Sequence, residues 1–192
     1  MIIKIYSGLI LVFFIAAFAI RNIRTYLATR QSIRGSSKKL TFSVLISTSI
    51  YLLIAGRLTF IKPEWILEAD FQVFEWLQLP GLILLTFGFL LGILALMSMK
   101  NSWRVGIKYD QKTELVRSGV YAFSRNPYFL SYDILILGYI LLFPSLIILG
   151  LYMILVMIFH RMILEEEKYL ESKHGETYLT YKQSVKRYMT IK

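Results

Sequence analysis

Long apolar blocks constrain this chain more than any other feature. A helix that crosses a bilayer needs about 20 predominantly apolar residues, and residues 2–20, 42–61 and 79–99 each supply such a run. Lys4 sits at the edge of the first, where its ammonium can snorkel to the interface, and Arg57 lies near the far end of the second. Residues 129–143 and 145–159 are two further runs, each short, with Pro144 between them. A single helix of about 30 residues would overshoot a hydrocarbon core of about 30 Å, so this pair reads as a tight hairpin. The expected fold is an all-α integral membrane helical bundle of about five transmembrane helices, the last two forming that hairpin. Residues 1–99 make an N-terminal three-span membrane region, and residues 100–192, with the hairpin at 129–159, make a second. Ala17-Phe18-Ala19 resembles a signal-peptidase site, yet the block reads as a retained first span.

Composition agrees with lipid as the solvent. The 192 residues are 56% hydrophobic and 18% charged, whereas a soluble domain carries about a quarter charged residues. Cysteine is absent, which removes disulfides and thiolate metal sites. His160 and His174 do not have metal-ligand spacing, so no metal is expected. The net charge is +10, but Lys and Arg fall between apolar blocks and join no stacking platform, so nucleic acid is not an expected partner. Basic loops facing anionic membrane lipids are the simpler account.

Charge also orients the spans. Arg21, Arg24, Arg30, Arg34, Lys38 and Lys39 follow the first block with no acidic residue among them. Lys62 stands against Glu64, Glu68, Asp70 and Glu75 after the second, and Lys and Arg again dominate after the third, at Lys100, Arg104, Lys108, Lys112, Arg117 and Arg125. By the positive-inside rule the N-terminus is outside and the C-terminus cytosolic. Gly81, Gly88 and Gly92 recur on one side of the third span, a small-xxx-small pattern that permits close helix approach, either within the monomer or across a dimer.

Two polar segments are too particular to be ordinary connectors. Residues 101–128 hold Trp103, Gly119, Tyr121 and then Arg125-Asn126-Pro127-Tyr128; residues 165–187 hold Glu165-Glu166-Glu167, Gly175, Tyr178, Tyr181 and Arg187. Taken singly, Arg125 is one more positive-inside residue, and Pro127 opens a helix where proline is tolerated. The acidic triplet is then a solvated face with Arg161 and Glu165 as an i,i+4 pair. Adjacent glutamates point about 100° apart, so at most two of the three face one ligand.

Taken together, Gly-x-Tyr-x-x-x-Arg-x-Pro before a span and Glu-Glu-x-x-Leu with a Gly-x-x-Tyr-x-x-Tyr tail one hairpin later resemble the isoprenylcysteine carboxyl methyltransferase and phospholipid methyltransferase superfamily of membrane enzymes. The resemblance covers roughly residues 101–188. It implies an S-adenosylmethionine pocket in the second region, formed by Trp103, Gly119, Tyr121, Arg125, Asn126, Pro127, Glu166 and Glu167, with Arg125, Asn126 and Glu167 as catalytic residues. Three positions depart from the family pattern: Asn126 stands for histidine, Phe129 for tyrosine and Ser131 for glycine. An Asn amide still donates and accepts hydrogen bonds but carries no proton at neutral pH.

The resemblance implies methyl transfer from S-adenosylmethionine, at the cytosolic face, to a lipophilic or lipid-modified acceptor entering from the bilayer. An isoprenylcysteine carboxylate, a phospholipid amine, a thiol and an isoprenoid acid all remain open as acceptors. An arginine suits a carboxylate bidentately, and glutamates accept from an ammonium or ribose hydroxyls. An NADPH-dependent membrane reductase of sterol-reductase type and a non-catalytic scaffold are the alternatives. Asp133, four residues after Phe129, is open between a site-facing and an interfacial role.

Overall fold

The computed structural model describes residues 1–35, 37–59, 75–107 and 114–190. Lys62, Glu64, Glu68 and Asp70, together with Lys108, Asp110, Lys112 and the expected end of the second span at Ile61, lie outside the described residues. The elements are helices α1 (Ile2–Thr29), α2 (Lys38–Leu58), α3 (Gln78–Ser98), α4 (Pro127–Leu142), α5 (Leu146–His174) and α6 (Glu176–Ser184). No strand occurs among the described residues; a single bridge joins Arg34 to Val105.

Four helices are long and apolar enough to cross a membrane, and α4 is a shorter apolar helix. Only 22% of the most apolar window of α1, α2 and α5, and 33% of that of α3, is buried within the protein. Most of each span therefore needs apolar surroundings that the chain does not supply, and Phe13, Leu52, Leu90 and Met157 are among the large side chains facing outward. The protein is an integral membrane helical bundle.

The helices pack as a ring in which α1 touches α2 and α3, α2 leans on α5, and α4 bridges α3 and α5. The α3–α4 seam is the closest. A Cβ on Gly88 would come within 2.6 Å of the Leu135 amide nitrogen, and one on Gly138 within 2.6 Å of the Leu85 nitrogen. Backbones meet there because neither helix carries a side chain at the crossing. A Cβ on Gly92 would come 2.6 Å from the Phe14 ring of α1. The glycine pattern of the third span thus packs helices within one chain.

The hairpin differs from its expected proportions. Its first arm begins at Pro127, and its turn is held by the Ser145 hydroxyl, which accepts from the Ile148 amide at 3.4 Å. Its second arm does not stop near Phe159 but continues unbroken to His174. The run of Glu, Lys and Arg after Phe159 has good helix propensity and no breaker before Gly175, so apolar length alone underestimates the helix. The acidic triplet consequently projects from a rigid extension of a span. Likewise α1 runs past Ile20 through its basic residues to Thr29.

Candidate functional site

Three segments converge at the end of the bundle that carries the basic loops. The 3-10 turn Gly119–Ala122 seats against the end of α3: Gly119 has φ +63°, and a Cβ there would lie 3.0 Å from the Ser98 hydroxyl. Proline at the first position of α4 then costs no helical hydrogen bond. The C-terminal tail crosses this loop. The Arg125 amide donates to Lys186 O (3.1 Å), the Thr190 amide to Phe123 O (2.8 Å), and Asn126 Nδ2 to Arg187 O (3.2 Å). The Tyr181 hydroxyl donates to Tyr121 O at 2.6 Å, tying α6 to the same loop.

This strapping delivers two arginines to one carboxylate. Arg187 Nε and Nη2 lie 3.0 and 2.9 Å from the two oxygens of Glu167, and Arg125 Nη2 lies 3.1 Å from Oε1. Glu167 is 5% exposed, so the contacts act in a medium that screens poorly. Two guanidiniums on one carboxylate leave a local excess of one positive charge. Arg125 Nε and Nη1 are buried without a hydrogen-bond partner, so this arginine retains unspent donors.

The neighbouring glutamates go elsewhere. Glu166 faces Arg104, whose Nη2 is 3.7 Å from Oε1, an ionic contact longer than a hydrogen bond. The Arg104 guanidinium also lies over the Tyr169 ring, 5.1 Å from its centroid. Glu165 pairs with Lys39 of α2 rather than with Arg161 along its own helix. Helix phase explains the division, because each step turns the side chain by about 100°.

Below the ion pairs opens a cavity of about 520 Å³, within the range of roughly 300–1,000 Å³ typical of small-molecule sites. Its polar end is lined by Arg104, Arg125, Asn126, Glu166, Glu167 and Tyr178. Trp103 and Tyr121 follow, and Phe18, Tyr51, Tyr132 and Phe159 line the deeper part between α1, α2, α4 and α5. Trp103 is fixed by a 2.7 Å hydrogen bond from Nε1 to Asn22 Oδ1 and by an edge-on contact with Tyr128. Burial pushes the Tyr178 phenol up to about 12, with the Glu167 charge adding and Arg125 opposing, so it is a neutral donor at physiological pH. The hydrogen bond to Glu167 raises Arg187 above its ordinary value.

Residues 81–172 match the family model described as "Isoprenylcysteine carboxyl methyltransferase (ICMT) family". That stretch, just under half of the chain, is similar to the ICMT family. The match implies a membrane methyltransferase. The match runs from Gly81 in α3 to Ser172 in α5 and so includes Arg104, Arg125, Glu166 and Glu167. It leaves out α1, α2, α6 and Arg187. No curated protein matches the chain.

Of the residues singled out in the sequence, Trp103, Tyr121, Arg125, Asn126, Glu166 and Glu167 all line the cavity. Gly119 and Pro127 do not; they shape the loop and open α4. Asp133 does not line it either. Arg104, Tyr178 and Arg187 lie in the two polar segments, Tyr178 as part of the tail motif, but none is among the residues the resemblance assigns to the pocket. The contribution of α1 and α2 is missed altogether. One signal for it exists: Ser43, Ser47 and Tyr51 form a hydroxyl stripe at helical spacing in the second span, which also carries Thr48 and Ser49.

Proposed function

We propose that this protein transfers a methyl group from S-adenosylmethionine to a lipophilic acceptor that enters from the bilayer. The observation that carries the reading is Arg125: buried at the polar end of the cavity, braced by Glu167, and still holding two donors without partners. A cofactor bearing a carboxylate fits that cation, and the excess positive charge beside it favours the anionic group. Glu166, in only loose contact with Arg104, has capacity left to accept from an ammonium or ribose hydroxyls. Trp103 and Tyr121 offer flat apolar faces to an adenine ring.

S-Adenosylmethionine supplies an electrophilic methyl carbon on a positive sulfur. The chain's part is then to align and to exclude water. Apolar and aromatic walls desolvate the acceptor, and a direct displacement between held partners gains chiefly from orientation. In this reading Arg125 orients the cofactor, Glu167 holds Arg125, and Asn126 pins the tail that brings Arg187 in. The acceptor arrives from the side, because the cavity wall includes Val44 and Leu52, which are 40% and 69% exposed on the outer face of α2. With the basic loops cytosolic, the polar end opens to the aqueous compartment that holds the cofactor.

The test is calorimetry on purified protein in lipid nanodiscs with S-adenosylmethionine, its demethylated product and NADPH, followed by incubation with methyl-labelled cofactor and membrane lipid extract. Binding of the first two ligands and label in an extractable lipid support the reading. Binding of NADPH alone, or of none, overturns it.

A further inference from the structure

The deep end of the cavity holds a polar island that cofactor binding does not explain. Tyr132 of α4 is 4% exposed and lines the cavity, and its hydroxyl makes no hydrogen bond of ordinary geometry. The hydroxyls of Ser47 and Tyr51, on the facing wall of α2, lie beside it, and the Tyr51 and Tyr132 rings are 5.8 Å apart. Ser47 is nine residues into α2, which puts the island roughly 14 Å below the basic loops, at hydrocarbon depth. Thr48 adds a further hydroxyl-bearing residue to the same wall.

A hydroxyl held only by loose contacts at such depth is costly unless something in the cavity completes its hydrogen bonding. None of the described lining residues at this level is charged; the neighbours are Ile15, Phe18, Val44, Leu52, Phe129 and Phe159. An ionised carboxylate would find no counter-charge among the described lining residues there, and Asp133, close to Tyr132 without lining the cavity, would repel it. A purely hydrocarbon chain would leave the Tyr132 hydroxyl with only its loose contacts to Ser47 and Tyr51. The group that suits the island is an uncharged oxygen that accepts a hydrogen bond, carried on an apolar body.

We propose that Tyr132, with Ser47 and Tyr51, forms a specificity subsite for a neutral carbonyl- or ether-type oxygen of the lipophilic acceptor. The acceptor is then an oxygen-bearing lipid whose apolar part lies along α2. This rests on the methyltransferase reading for its word "acceptor", but the subsite itself does not depend on the cofactor.

The test compares three probes of equal chain length: 2-pentadecanone, pentadecane and pentadecanoate. Affinities are measured by competition calorimetry with the full chain in nanodiscs, for wild type, Tyr132→Phe and Ser47→Ala. Each probe's partitioning into protein-free nanodiscs is measured separately and subtracted, so that the preference between probes refers to the lipid-dissolved ligand. Wild type is expected to prefer the ketone to the alkane by about tenfold, the worth of one hydrogen bond. Tyr132→Phe is expected to erase that preference, Ser47→Ala to reduce it, and neither to change S-adenosylmethionine affinity. No ketone preference in wild type, a preference for the carboxylate, or a preference that persists in both variants overturns the proposal. Loss of cofactor binding in wild type with a Tyr132-dependent ketone preference would instead sink the methyltransferase reading and leave the subsite standing.

Discussion

Arg187 and Glu167 form a two-point ion pair, with Nε and Nη2 of the arginine 3.0 and 2.9 Å from opposite carboxylate oxygens. Twenty residues separate them, and what joins them is the tail folding back over the Arg125 loop. The pairing fixes how Glu167 can be shared. With Arg187 holding both oxygens, Arg125 engages Glu167 through one Nη and keeps its other donors for a ligand. Replacing Arg187 with glutamine is therefore expected to let Arg125 collapse onto Glu167. The KM for S-adenosylmethionine should rise about tenfold or more, the scale of a charge-assisted hydrogen bond, with a smaller change in kcat. Steady-state kinetics over a cofactor titration separates this from a general loss of structure, in which kcat falls at unchanged KM.

The acidic triplet predicts a graded response. Glu167→Gln leaves two guanidiniums against a neutral amide in a buried place, and removing one partner of a buried pair costs about 3–5 kcal/mol. Glu165→Gln breaks a pair with Lys39 in which both side chains are more than a third exposed (39% and 45%), where the effect is roughly 1 kcal/mol or less. Thermal unfolding in one detergent should show a large fall in Tm for the first variant and little for the second. Equal shifts would contradict the burial difference.

How much of this was legible in the sequence depends on the range of the interaction. The apolar runs announce the spans because lipid acts on every residue locally, and the Arg125 and Glu166-Glu167 motifs lie close to the helix ends that display them. Arg104 and Arg187 sit within the same segments, yet nothing in their spacing says which carboxylate each meets; that depends on the tail crossing the loop. The α2 wall of the cavity is set by α2 leaning on α5, a contact between residues more than a hundred positions apart, such as Lys39 and Glu165. The helix length of α5 was hidden for a different reason. Apolar content marks where a span lies in lipid, while the helix continues as far as propensity allows.

The α3–α4 seam gives a packing prediction with an internal control. Alanine at Gly88 or Gly138 places a Cβ 2.6 Å from backbone nitrogen, which only a shift of the helices relieves. Overpacking of this kind costs about 1–3 kcal/mol or more. Alanine at Gly150 of α5 meets nothing within 4 Å and should be neutral or slightly stabilising through helix propensity. Chemical denaturation of the three variants in mixed micelles measures the order, and a Gly150 variant as damaged as the other two would refute it.

The departure at position 126 has a concrete account. The Asn126 amide donates through Nδ2 to Arg187 O at 3.2 Å, so what the position supplies is a donor that ties the tail to the loop. The family histidine can donate through a ring N–H, and Asn126→His should keep the tail docked and the cofactor KM within about twofold. Asn126→Asp sets a carboxylate against a carbonyl, and an unmet buried polar group costs about 1–3 kcal/mol. The tail should then detach more often, exposing residues 185–190 to carboxypeptidase and raising the cofactor KM through loss of Arg187. Digestion time courses with and without S-adenosylmethionine read both effects, since a ligand that engages Arg125 should slow release of the tail. An aspartate variant as protected as wild type would show that the strap is held by its backbone hydrogen bonds alone.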